Sequence, residues 1–142
     1  MKNTFKILIA EDDLDDQFIL KEAFRANNLQ KHILFVENGV EVMEYLNSHP
    51  QPSLMLLDLN MPMKSGKEVL QEVKSDERFM SIPVIVFSSS NNSMDIYECF
   101  ELGADSYMTK PGTFAETIKA ARDIYDFCMK KTELGIIGQA GI

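Results

Sequence analysis

Five short apolar runs alternate with longer amphipathic stretches, and this alternation restricts the fold more than any single motif does. The runs are FKILIA (5–10), ILFVE (33–37), SLMLLD (53–58), IPVIVFS (82–88) and DSYMT (105–109). The middle runs are nearly continuous in apolar residues, as strands covered on both faces are. Between them lie helical spacings: Leu14, Phe18, Ile19, Ala23 and Phe24; then Val40, Met43, Tyr45 and Leu46; then Val69, Leu70 and Val73; then Ile96, Tyr97 and Phe100. A longer last helix follows from Phe114, Ile118, Ala121, Tyr125 and Cys128. Five strand–helix units predict an α/β fold: a doubly wound, five-stranded parallel sheet carrying five helices. Right-handed crossovers favour the strand order 2-1-3-4-5. ENG at 37–39 opens a helix pattern, so it reads as a strand–helix loop and not a hairpin turn.

A chain of 142 residues suits one domain, drawn here as 1–131, with 132–142 as a flexible tail where helix periodicity is lost. Gly135, Gly138 and Gly141 in that tail follow no strand and make no dinucleotide motif. A net charge of −8 argues against nucleic acid or an anionic membrane as the main partner. MKNTFKILIA is too short in apolar residues for a signal peptide, and no run reaches a membrane span. Cys99 and Cys128 form no CxxC pair and read as reduced packing residues, which points to a cytoplasmic protein. His32 and His49 fit surface or turn positions.

In a doubly wound sheet, ligands bind beyond the carboxyl ends of the strands, beside the point where strand order reverses. The first strand runs into Glu11, Asp12 and Asp13, the third ends in Asp58, the fourth in Ser88, and the fifth in Lys110 and Pro111. Only Glu37 and Asn38, after the second strand, fall remote. Singly, each has an ordinary reading: a helix cap, an acidic first turn, a surface lysine. Jointly they make a site. Clustered carboxylates must hold protons or share a cation, and hard oxygen ligands suit Mg²⁺. Asp58 could attack phosphorus to give an acyl phosphate, with Lys110 and the Ser88 hydroxyl stabilising the phosphoryl oxygens.

ILIAEDD, LMLLDLNMP…SG, PVIVFSS and GADSYMTKP, in that order and spacing, resemble the receiver domain of two-component response regulators over about residues 5–130. The layout is similar to stand-alone chemotaxis-type receivers, and more so to the small phytochrome-associated regulators. The resemblance implies a flavodoxin-like fold with Asp58 as phosphoacceptor. It also implies a Mg²⁺ site in which Asp12 ligates directly, Glu11 acts through water and the backbone carbonyl of Asn60 completes the protein's share, with Asp13 a further candidate. Ser88 would be the hydroxyl switch, Lys110 the phosphate-pairing lysine, Lys110–Pro111 a cis peptide, and Tyr107 the aromatic that moves with Ser88. Two positions depart from the family: Gly112 stands where an aromatic or large apolar residue is usual, and Ser88–Ser89 replaces Thr-Ala.

The implied partners are a histidine kinase or phosphotransfer protein upstream. Downstream, a protein target or a second copy would meet the face of the fourth helix, fifth strand and fifth helix, with Tyr107 and Ile96 as exposed apolar candidates. No output domain is expected after the fifth helix, so output is expected through such a contact. The competing reading is a phosphohydrolase of the haloacid dehalogenase type. That chemistry needs an acid two residues after the nucleophile to protonate a poor leaving group, and Asn60 stands there. A flavodoxin-like FMN binder is excluded more firmly, since EDDLDD would repel its phosphate.

Overall fold

The computed structural model describes residues 5–134, with side chains described to residue 130. Its strands are β1 (Ile7–Ala10), β2 (Ile33–Val36), β3 (Leu54–Leu57), β4 (Val84–Ser88) and β5 (Ser106–Thr109). The helices are α1 (Leu14–Ala26), α2 (Gly39–Ser48), α3 (Gly66–Lys74), α4 (Ser93–Glu101) and α5 (Phe114–Leu134), with a 3-10 turn at Gln30–His32. All four strand pairings are parallel, in the order β2-β1-β3-β4-β5. The α/β sheet and its topology are therefore those expected. Helix α5 runs past residue 131 to Leu134; the rest of the expected tail lies outside the described residues. Among the described residues, no helix is long and apolar enough to cross a membrane.

Alternation within each strand divides the core in two. Leu8, Ala10, Met55, Leu57, Val84 and Val86 face α2 and α3, where Val42, Leu46, Val69, Leu70 and Val73 close over them. Ile7, Ile9, Leu54, Leu56, Ile85 and Phe87 face α1 and α5, against Leu20, Ala23, Phe24, Ala121 and Ile124. Being apolar on both faces, β1, β3 and β4 hold the interior positions of the sheet. The apolar pattern of α1 divides otherwise than its spacing suggests. Ala23 and Phe24 are buried, but Leu14 and Phe18 are 66% and 63% exposed and the buried face is completed by Leu20.

Register delivers the strand ends to one level. Ala10 lies opposite both Val36 and Leu57. The ladder then continues one residue further: the Glu11 N–H donates to the Val36 carbonyl (3.0 Å) and the Asp58 N–H to the Ala10 carbonyl (3.1 Å). On the other side the Lys110 N–H donates to the Ser88 carbonyl (2.8 Å). Side-chain caps start the helices just after these ends, with Asp13 capping α1, Asn38 α2 and Asn92 α4, and Ser65 with Glu68 forming a capping box on α3. Gly66 is required by close approach: a Cβ there would lie 2.2 Å from the Asp58 carbonyl oxygen.

Candidate functional site

Three carboxylates meet at the β1 and β3 ends. Glu11, Asp12 and Asp58 each present an oxygen, all within 4.8 Å of one another. Glu11 is 1% and Asp58 6% exposed, whereas Asp12 opens to solvent. Lys110 reaches the cluster from the end of β5. Its Nζ lies 2.8 Å from Glu11 Oε1, 2.7 Å from Asp16 Oδ2 and 3.4 Å from Asp58 Oδ2. Three acidic groups thus share one ammonium, and Asp12 adds a fourth carboxylate beside them.

That imbalance shows in the protonation of the buried members. Burial pushes the Glu11 carboxyl up to about 7, with Asp58 adding to the rise and Lys110 opposing it. Burial likewise raises Asp58, against the pull of Lys110 and of the Asn60 N–H. Burial alone would lower Lys110, but Asp16, Glu11 and Asp58 more than offset it and hold the ammonium above the ordinary lysine value. Buried, under-compensated carboxylates with hard oxygen donors and an open side at Asp12 fit a small divalent cation.

Other expected residues take distinct places. The Asn60 N–H points toward Asp58 Oδ1 at 3.5 Å, and its side chain is exposed. Asp13 does not join the carboxylate cluster: its side chain accepts from the Asp16 N–H at 3.0 Å as the α1 cap. Ser88 is fully buried, and its Oγ accepts from the Ser90 N–H at 3.2 Å. Tyr107 corrects the expectation of an exposed aromatic. It is 8% exposed because its hydroxyl turns in to donate to the Ser90 carbonyl at 2.7 Å. Ile96 is half-buried against the core, so the exposed apolar side chains of α4 are Met94, Tyr97 and Phe100. No cis peptide occurs among the described residues, so Lys110–Pro111 is trans, the isomer X–Pro bonds favour by about 0.5–1 kcal/mol. The Lys110 side chain reaches the carboxylates without the cis bond. Gly112 is open, with nothing near a Cβ placed there.

One residue escaped the sequence reading: Asp16, which supplies the shortest contact to Lys110. Ser90 links Ser88 to Tyr107 while its own Oγ donates to Asp95 at 2.7 Å. The signal for Asp16 was its place in the first turn of α1, the turn nearest the site.

A family model described as the response regulator receiver domain matches residues 7–122. The response regulator Rcp1 of Synechocystis sp. is 33% identical over 135 residues, spanning 90% of this chain and 91% of the relative. The solved structure of the phosphorylated cyanobacterial phytochrome response regulator RcpA is 34% identical with a TM-score of 0.81, covering 88% of this chain and 94% of that one. The Mn²⁺-bound form of response regulator Rcp1 is 31% identical with a TM-score of 0.78, covering 87% and 93%.

Proposed function

The chain belongs to the response regulator receiver domain family of two-component signalling, and from that premise we propose that Asp58 accepts a phosphoryl group from a histidine kinase or phosphotransfer protein. The observation that carries this reading is the meeting of Asp58, Glu11, Asp12 and Lys110 at the carboxyl ends of three strands. A bond forms from an Asp58 carboxylate oxygen to phosphorus as the donor histidine's N–P bond breaks, and the imidazole leaves with the electron pair. Lys110 stabilises charge on the phosphoryl oxygens and Ser88 donates its hydroxyl to one of them. Asp12, Asp58 and the Asn60 carbonyl would hold Mg²⁺ with Glu11 acting through water, and the ion when bound supplies positive charge against the carboxylates and the phosphoryl group. That RcpA is known phosphorylated and Rcp1 with Mn²⁺ supports both halves of the assignment.

The phosphoryl group carries roughly −1.5 to −2 charges and replaces the single charge of an ionised Asp58 carboxylate. Ser88 turns toward them, and the change is read on the α4–β5–α5 face, where Met94, Tyr97 and Phe100 are exposed to a downstream protein or a second copy. A receiver unit of residues 1–131 in the cytoplasm completes the reading. Asn60, an amide two residues after Asp58, supports an acceptor of activated phosphoryl groups over a phosphate-ester hydrolase.

Intact-mass measurement after treatment with acetyl phosphate and Mg²⁺ tests this. Wild type should gain about 80 Da, one phosphoryl group, and Asp58→Asn should gain nothing. A wild type without the adduct, or an Asn variant that still carries it, refutes the assignment.

A further inference from the structure

We propose that Asp16 is a positioning residue that holds the Lys110 ammonium away from Asp58 and so weakens the attraction of the unphosphorylated site for an anionic phosphoryl donor. The inference rests on the phosphoacceptor reading of Asp58. Its ground is a difference in distance: Lys110 Nζ is 2.7 Å from Asp16 Oδ2 but 3.4 Å from Asp58 Oδ2. An ammonium has three donors, and here three carboxylates share them, the third being Glu11 at 2.8 Å. For Lys110 to pair with a phosphoryl group, one of these partners must give way.

Exposure decides which. The Glu11 and Asp58 side chains are 2% and 7% accessible, so a carboxylate released at either position stays out of water. The Asp16 side chain is 36% accessible and can rehydrate when it lets go. It also borders open space beside the ammonium. A cavity of about 140 Å³ opens beside Lys110 between α1 and the β5–α5 loop, with Asp16, Ile19, Pro111 and Phe114 in its wall. The Asp16 backbone is fixed, its N–H held by the Asp13 cap, so its carboxylate is aimed at Lys110 by the helix itself. Its neighbour Asp15, one residue back on the helix, is exposed and makes no such contact. Asp16 is therefore the exchangeable partner of Lys110, and its charge opposes an incoming phosphoryl group until the exchange occurs.

The test is the second-order rate of phosphorylation by acetyl phosphate at saturating Mg²⁺, followed by intact mass at two ionic strengths. Asp16→Asn and Asp16→Ser should each react about fivefold faster than wild type at low salt, the factor matching about 1 kcal/mol for a partly exposed ion pair. The gain should shrink at high salt, and Asp16→Glu should return to the wild-type rate. A purely structural role for Asp16 would slow the reaction in all three variants. Unchanged or slower rates in both charge-removing variants, with wild type phosphorylated normally, overturn this inference alone. A wild type that takes up no phosphoryl group overturns it together with the assignment of Asp58.

Discussion

Removing divalent cations should leave the site electrostatically strained, and the strain has a pH signature. Glu11 is held at about 7 in the folded chain against an ordinary value of 4.5, chiefly by burial. Between those values the folded state keeps a proton that the unfolded chain has released, so stability falls as pH rises through this window and levels off above it. A carboxyl shifted that far carries roughly 3 kcal/mol at full ionisation, of which about 2 to 3 kcal/mol should be lost between pH 5 and pH 8. Asp58, also raised by burial, adds loss of the same sign. Other resolved shifts do not mask this. Asp76 and Asp95 are lowered by their partners Arg78 and Lys67, so their stabilisation has fully developed by pH 5 and stays constant above it, and Lys110 titrates above the window. Urea unfolding in EDTA at pH 5, 6, 7 and 8 measures the slope, and Glu11→Gln should remove most of it. A wild-type stability that is flat or rising from pH 5 to 7.5, or an equal slope in the Gln variant, refutes this account of the carboxylate cluster.

Two further substitutions read the fold around the site. Ser106 in β5 is fully buried and its hydroxyl has no hydrogen-bond partner among the described residues. Ser106→Ala should therefore stabilise the chain by about 1 kcal/mol, seen as a higher urea midpoint at unchanged slope. Gly66→Ala drives a Cβ against the Asp58 carbonyl oxygen and the Leu59 Cα. It should cost about 3 kcal/mol or more in urea unfolding and slow acetyl-phosphate uptake, because relief of the overlap must move the backbone of Asp58 itself.

The strand ends were legible because an apolar run that stops at a charge marks both a strand and its exit. Glu11, Asp12, Asp58 and Lys110 stand out that way, and the 2-1-3-4-5 order brings those four together. What spacing conveys is which residues share a helix face, not what covers that face. Leu14 and Phe18 keep helical spacing yet stay exposed, since the crossing of α1 over the sheet centres on Leu20, Ala23 and Phe24. Asp16 stayed hidden for the same reason. Its partner Lys110 is 94 residues away, and an acid in a first helical turn already has a sufficient explanation in the helix dipole. Tyr107 misled because an edge strand suggests exposure. Nothing local told that the β4–α4 loop folds over it through Ser90.

That loop also sets how the site can speak to the surface. Three of the hydrogen bonds that anchor Ser90 matter here: its N–H on Ser88 Oγ, its carbonyl under the Tyr107 hydroxyl, and its Oγ on Asp95. Asp95 is in turn paired with Lys67 of α3, which also holds Glu98. Each neutral hydrogen bond is worth about 1 kcal/mol net, and a bond from Ser88 to a charged phosphoryl oxygen about 1.5 to 3 kcal/mol. On the phosphoacceptor reading, one such bond outweighs the loss of the Ser88–Ser90 contact but not the loss of all three anchors at once. When the Ser88 hydroxyl turns away, Ser90 is therefore released from β4 while still bound to Tyr107 and Asp95. Any displacement of Ser90 would then pull on the ring of Tyr107 and on Asp95 in the first turn of α4. On the proposed phosphoacceptor role, these two remaining bonds are the connection expected to carry charge at Asp58 to α4, whose exposed side holds Met94 and Tyr97.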